Sequence, residues 1–71
     1  MYDFDLYTSV DGFTAGDRVE IQPYLDAWMM GDRYGDIVKI GRSKLHVRMD
    51  RSGRTLRITA RQVARKITVG A

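Results

Sequence analysis

The sequence predicts an all-β fold: a five-stranded small barrel with a short 3₁₀ turn before its last strand. Three observations predict it. Residues 17–22 and 45–50 alternate apolar with polar or charged side chains, the two-residue period of a half-buried strand. Turn-forming clusters, Gly41-Arg42-Ser43-Lys44 and Arg51-Ser52-Gly53-Arg54, separate short apolar runs. The chain has only 71 residues and no cysteine, so a small core must hold it without a disulfide, and curling one sheet on itself limits exposed edges.

The elements follow in order. Residues 1–12 carry Tyr2, Phe4, Leu6, Tyr7 and Val10 among acids and end at the turn signal Asp11-Gly12, which fits an acidic arm or an edge strand; residues 13–71 form the barrel domain. Asp17-Arg18-Val19-Glu20-Ile21-Gln22 is a strand stopped by Pro23, which cannot donate to a ladder. Residues 24–34, with Tyr24, Leu25, Trp28, Met29, Met30 and Tyr34, are irregular in period and read as a long loop over the barrel mouth. Gly35 to Ile40 and Leu45 to Asp50 form a hairpin, and Thr55 to Thr59 a fourth strand after the turn at Gly53, whose glycine is free to take positive φ.

A 3₁₀ turn over residues 60–63 then leads to a fifth strand over residues 65–69. Leu56, Ala60, Val63, Ala64 and Ile67 also share one helical face, so a C-terminal amphipathic helix competes with this reading. Strands are preferred because Ile58 and Thr59 are β-branched and Ile58 falls off the helical stripe.

Charge is sharply divided along the chain. Through residue 32, Asp3, Asp5, Asp11, Asp17, Glu20, Asp26 and Asp32 stand against Arg18 alone, a balance of −6. From residue 33 onward, Arg33, Lys39, Arg42, Lys44, Arg48, Arg51, Arg54, Arg57, Arg61, Arg65 and Lys66 stand against Asp36 and Asp50, a balance of +9. Arginine dominates that block, and its planar fork suits bidentate phosphate contacts.

The segments Gly16-Asp17-Arg18-Val19-Glu20-Ile21 and Gly35-Asp36-Ile37-Val38-Lys39-Ile40 resemble the SH3-like small barrels, in particular KOW and Tudor-type modules. That resemblance implies the barrel over residues 13–69. Residues 13–21 are also similar to the entry into the second strand of signalling SH3 domains. The paired tryptophans and terminal Pro-x-x-Tyr of the proline-rich peptide groove are missing, since Met29 follows Trp28. A further likeness is to plasmid-borne type II dihydrofolate reductases, whose pore carries Val-Gln-Ile-Tyr. Here Leu56-Arg57-Ile58-Thr59 stands in its place, so folate chemistry is not implied.

Catalysis has no candidate in this sequence. His46 is the lone histidine, and no nucleophile motif or phosphate loop surrounds Ser9, Ser43 or Ser52. Neither a metal nor a cofactor is expected, and no small-molecule substrate. Asp3 with Asp5, and Asp32 with Asp36, read as solvated acids or arginine partners rather than a cation site. The cysteine-free composition points to a reducing cytoplasm. The acidic start, Met-Tyr-Asp-Phe-Asp-Leu-Tyr, lacks the basic opening of a secretory signal, and no apolar run approaches a membrane span.

The basic block therefore carries the functional expectation, which is a nucleic-acid-binding barrel of limited sequence specificity, with DNA or RNA as partner. Alternation puts Lys39, His46, Arg48 and Arg57 on the outward face, opposite Val38, Ile40, Val47, Met49, Leu56 and Ile58. Arg42, Lys44, Arg51 and Arg54 extend this face at the turns, and Tyr24, Trp28 and Tyr34 are candidates to stack on bases or meet a partner. The alternative is a protein-interaction or assembly module, of a phage or mobile-element kind, in which the acidic arm of one chain docks on the basic face of another to form a homo-oligomer.

Overall fold

A computed structural model describes residues 9–67. The fold is all-β: one antiparallel sheet of five strands in the order β4-β3-β2-β1-β5, with β1 Arg18–Ile21, β2 Tyr34–Ile40, β3 Leu45–Met49, β4 Thr55–Ile58 and β5 Val63–Ile67. A 3₁₀ turn at Val10–Gly12 precedes the sheet, and a second at Ala60–Gln62 leads into β5. C-terminal residues 63–67 are strand, so the rival helix is excluded there. Residues 1–8 of the acidic arm and the last two residues expected in the fifth strand lie outside the described residues.

The sheet is strongly curled, and its edges do not pair. In a flat sheet β4 and β5 would stand four strand spacings apart, about 19 Å. Only residues 59–62 connect Ile58 to Val63, a reach of at most about 18 Å even when fully extended, and part of it is spent in a 3₁₀ turn. Curling is therefore obligatory, in keeping with the near-equal extents of 29 × 28 × 26 Å. β4 and β5 nevertheless remain edges, which corrects the expected closed barrel to an open curled sheet. The chain crosses from one edge to the other through the 3₁₀ turn, without laying the two strands side by side. Thr59 N–H donates to Gln62 Oε1 at 2.8 Å and Gln62 N–H to the Thr59 carbonyl at 3.0 Å, which fixes that crossing.

Two bulges sharpen the curl, since an extra residue on one strand bends it and increases its twist. Between β1 and β5, Glu20 faces Arg65 while Ile21 faces Val63, so Ala64 is the extra residue. Between β2 and β3, Ile37 faces Val47 while Lys39 faces His46, so Val38 is extra. The second bulge overturns one sequence expectation: Val38 is 51% exposed, and Ile37 is the core residue instead.

The core fills the inner side of the curl with Phe13, Val19, Ile21, Ile37, Leu45, Val47, Met49, Ile58, Ala60 and Val63. Gly35 permits the closest approach within it. A Cβ there would lie 2.6 Å from the Arg48 carbonyl oxygen and 2.7 Å from Val47 Cγ1. In the link from β1 to β2 the expected loop contains one helical turn, α1 Asp26–Met29, which returns through Gly31 at a φ of +102°. Trp28 packs partly buried against the core, whereas Met29 and Met30 face outward. The turn from β3 to β4 uses Gly53 at a φ of +73°, and is tied to the α1 side because Ser52 N–H donates to the buried Asp32 carboxylate at 3.0 Å.

Candidate nucleic-acid interface

The outer surface of the sheet is organised in rows by strand register. Lys39 of β2, His46 of β3 and Arg57 of β4 are consecutive register partners and form one cationic row across three strands. The neighbouring row runs Arg18, Asp36, Arg48, Thr55. A third joins Arg65, Glu20 and Tyr34. The outer face of β1 and β5 thus mixes Arg18 and Arg65 with Glu20 and the adjoining Asp36 of β2, whereas the row from Lys39 through His46 to Arg57 carries no acid.

Ion pairing reinforces that division. Arg18 bridges Asp36, at 2.9 Å, and Asp50; Arg65 pairs with the buried Glu20; Lys66 lies 3.8 Å from Asp17. The hydrogen bond that Arg18 donates to Asp50 raises its guanidinium above the ordinary value, and the one that Arg65 donates to Glu20 does the same for Arg65. These contacts absorb four acids on cations outside the expected site. Among the described residues, none of Lys39, Arg42, Lys44, Arg48, Arg51, Arg54 or Arg57 takes part in an ion pair.

Only part of the expected set converges. Lys39, His46 and Arg57 lie at the end of the sheet where β2 turns into β3, next to Arg42 and Lys44 of that turn, which is closed by the Gly41 N–H donating to the Lys44 carbonyl at 2.8 Å. Arg48 sits one row away. Arg51 and Arg54 belong to the opposite end, at the β3–β4 turn, where the Arg51 side chain lies over Gly31. The two hairpin turns cap opposite ends of β3, so Arg42 and Lys44 extend the outer face at one end and Arg51 and Arg54 at the other.

The aromatic candidates also sit away from the cationic row. Tyr34 starts β2 at the β3–β4 turn end, where its carbonyl accepts from Asp50 N–H at 2.9 Å. Trp28 is partly buried and carries the Arg33 guanidinium 4.7 Å from its ring centroid, which removes one face from use in base stacking. Tyr24 is exposed in the β1–β2 link. Trp28 therefore serves the core, while Tyr24, Met29 and Met30 form the exposed apolar part of the far end.

Arg61 was missed by sequence reasoning. It sits in the second 3₁₀ turn and lines an open cleft of about 400 Å³ together with Ser9, Asp11, Arg42 and Ser43. The signal was the hairpin register: with Leu45 opposite Ile58, the residues just after β4 must return beside the β2–β3 turn.

Among the described residues no three His, Cys, Asp or Glu side chains gather as a metal ion would require, and no helix is long and apolar enough to cross a membrane. No protein-family model, curated protein or solved structure matches this chain.

Proposed function

We propose that this chain is a small nucleic-acid-binding module that contacts phosphates through the β2–β3 turn end of its sheet. Lys39, Arg42, Lys44, His46, Arg57 and Arg61 form the contact surface, with Arg48 at its border. The observation that carries this reading is the separation of paired from unpaired charge: the acids Asp17, Glu20, Asp36 and Asp50 are engaged by Arg18, Arg65 and Lys66. The cationic row keeps its charge for an external partner. A row of strand-borne cations reads backbone phosphate rather than base edges, so sequence specificity is low.

Titration of a labelled single strand over a salt series tests the proposal. Each phosphate contact contributes about −0.7 to the slope of log affinity against log salt, so five contacts give about −3.5. Absence of binding at low salt would refute it.

One observation favours a second reading, assembly between copies. Ser9 to Asp11 run beside Arg42 and Arg61, so the acidic part of the chain already enters the basic end of the sheet. Sedimentation separates the two, because charge-driven assembly predicts an oligomer that dissociates with salt and has no affinity for nucleic acid.

A further inference from the structure

The cleft at the basic end has walls of opposite charge. Arg42 comes from the β2–β3 turn, Arg61 from the second 3₁₀ turn and Asp11 from the first, and Ala60 of the core also lines it. No ion pair joins Asp11 to either arginine. Asp11 is anchored through its own backbone, whose N–H donates to Ser9 Oγ at 3.2 Å, and the 3₁₀ turn closes as Phe13 N–H donates to the Val10 carbonyl at 3.1 Å. Ser43 adds a hydroxyl to the Arg42 wall.

A ligand that is only an anion would match the two arginines but meet Asp11 as a like charge. A ligand with a hydroxyl donor beside a phosphate satisfies all three groups, because an ionised carboxylate only accepts hydrogen bonds. Ribose supplies that donor as its 2′-hydroxyl, and deoxyribose does not.

We propose that the cleft takes a ribose phosphate, with Arg42 and Arg61 on the phosphate and the Asp11 carboxylate accepting from the 2′-hydroxyl, so that the module prefers RNA to DNA. The proposal rests on the phosphate-binding reading and names its substrate class. Arg48, Arg51 and Arg54, outside the cleft, contribute charge without discriminating the sugar.

The experiment compares three labelled strands of equal length and base: oligouridine, oligodeoxyuridine and 2′-O-methyl oligouridine. The wild-type chain binds oligouridine about five-fold tighter than either of the others, within what one hydrogen bond to a charged acceptor supplies. Asp11→Ala abolishes this preference and leaves the affinity for oligodeoxyuridine equal or higher, since a negative charge has been removed. Arg42→Gln with Arg61→Gln weakens all three strands. Circular dichroism verifies that each variant keeps its sheet; Asp11, Arg42 and Arg61 are all exposed, so their replacement spares the core.

Equal binding of the three strands, or a preference that survives Asp11→Ala, overturns the sugar assignment while leaving phosphate binding in place. Failure of every strand to bind overturns the underlying reading instead. Uridine monophosphate as competitor identifies the source of the ribose phosphate: displacement of oligouridine assigns the cleft to a free ribonucleotide, and persistence of the complex assigns it to a unit within a strand.

Discussion

Lys39 faces His46 across the β2–β3 ladder because Val38 is bulged out between Ile37 and Lys39. In an unbroken ladder Val38 would take the place opposite His46, and Lys39 would fall opposite the buried Leu45. One extra residue therefore keeps an ammonium on the outer face and completes the row through His46 to Arg57.

Removal of Val38 should make the ladder regular and leave Lys39 opposite His46, since Ile37 already faces Val47 and Ile40 faces Leu45. No ammonium is buried and only the bend that the bulge adds is lost, so a loss of about 1 kcal/mol is expected in urea denaturation. Val38→Thr at the same exposed position should shift stability by only about 0.5 kcal/mol. A deletion variant that loses about 3 kcal/mol or more would show instead that Lys39 had turned toward the core.

Neutralising the row is expected to act on binding alone. Lys39→Gln with Arg57→Gln should reduce the salt slope for a single strand by about 1.4, the contribution of two phosphate contacts. Both positions are exposed, so thermal unfolding should be almost unchanged. The same replacements at Arg51 and Arg54, at the opposite end of β3, should change the slope less.

Gly35 is where the fold tolerates no side chain. Gly35→Ala introduces a Cβ at 2.6 Å from the Arg48 carbonyl oxygen and forces β2 and β3 apart, with an expected loss of about 2–3 kcal/mol. At Gly12 an added Cβ meets nothing within 4 Å, and Gly12→Ala should be nearly neutral. Denaturant midpoints at unchanged slope would measure both.

Trp28 gives an intrinsic optical probe, being the one tryptophan of the chain. Partly buried and covered by Arg33, it should emit to the red on unfolding and remain unchanged when nucleic acid binds at the β2–β3 turn end. Strong quenching on binding would place Trp28 in the contact and move the interface to the far end of the sheet. Trp28→Ala should cost about 3 kcal/mol through the cavity it leaves.

Much of the fold was legible because two-residue alternation and turn chemistry are local. Leu45 to Met49 alternates without interruption and is β3, and Gly53 takes the positive φ that its turn signal called for. Val38 was misplaced because the alternation rule assumes an unbroken ladder, and nothing in Ile37-Val38-Lys39 marks which residue will be extra. The helical turn at α1 was illegible because four residues make no periodicity.

The candidate site divides along the same line. Strand alternation made His46, Arg48 and Arg57 readable as outward residues, since each lies within a regular β segment, whereas Lys39 follows the bulge at Val38. The grouping of Arg42 with Arg61, and the separation of both from Arg51 and Arg54, depends on which turns cap which end of β3. Arg18 is the clearest case of a nonlocal choice: it engages Asp36 and Asp50, eighteen and thirty-two residues away.

By itself the sequence determined the all-β class, the five strand segments along the chain, the 3₁₀ turn before the last, and the excess of positive charge after residue 32. The tertiary structure decided that the sheet stays open, that Val38 leaves the core, and which cations remain unpaired. The physical reason is range. Alternation and turn propensity act between neighbours in the chain, whereas curl, register shifts and ion pairing are settled by residues that meet only once the strands have been laid side by side.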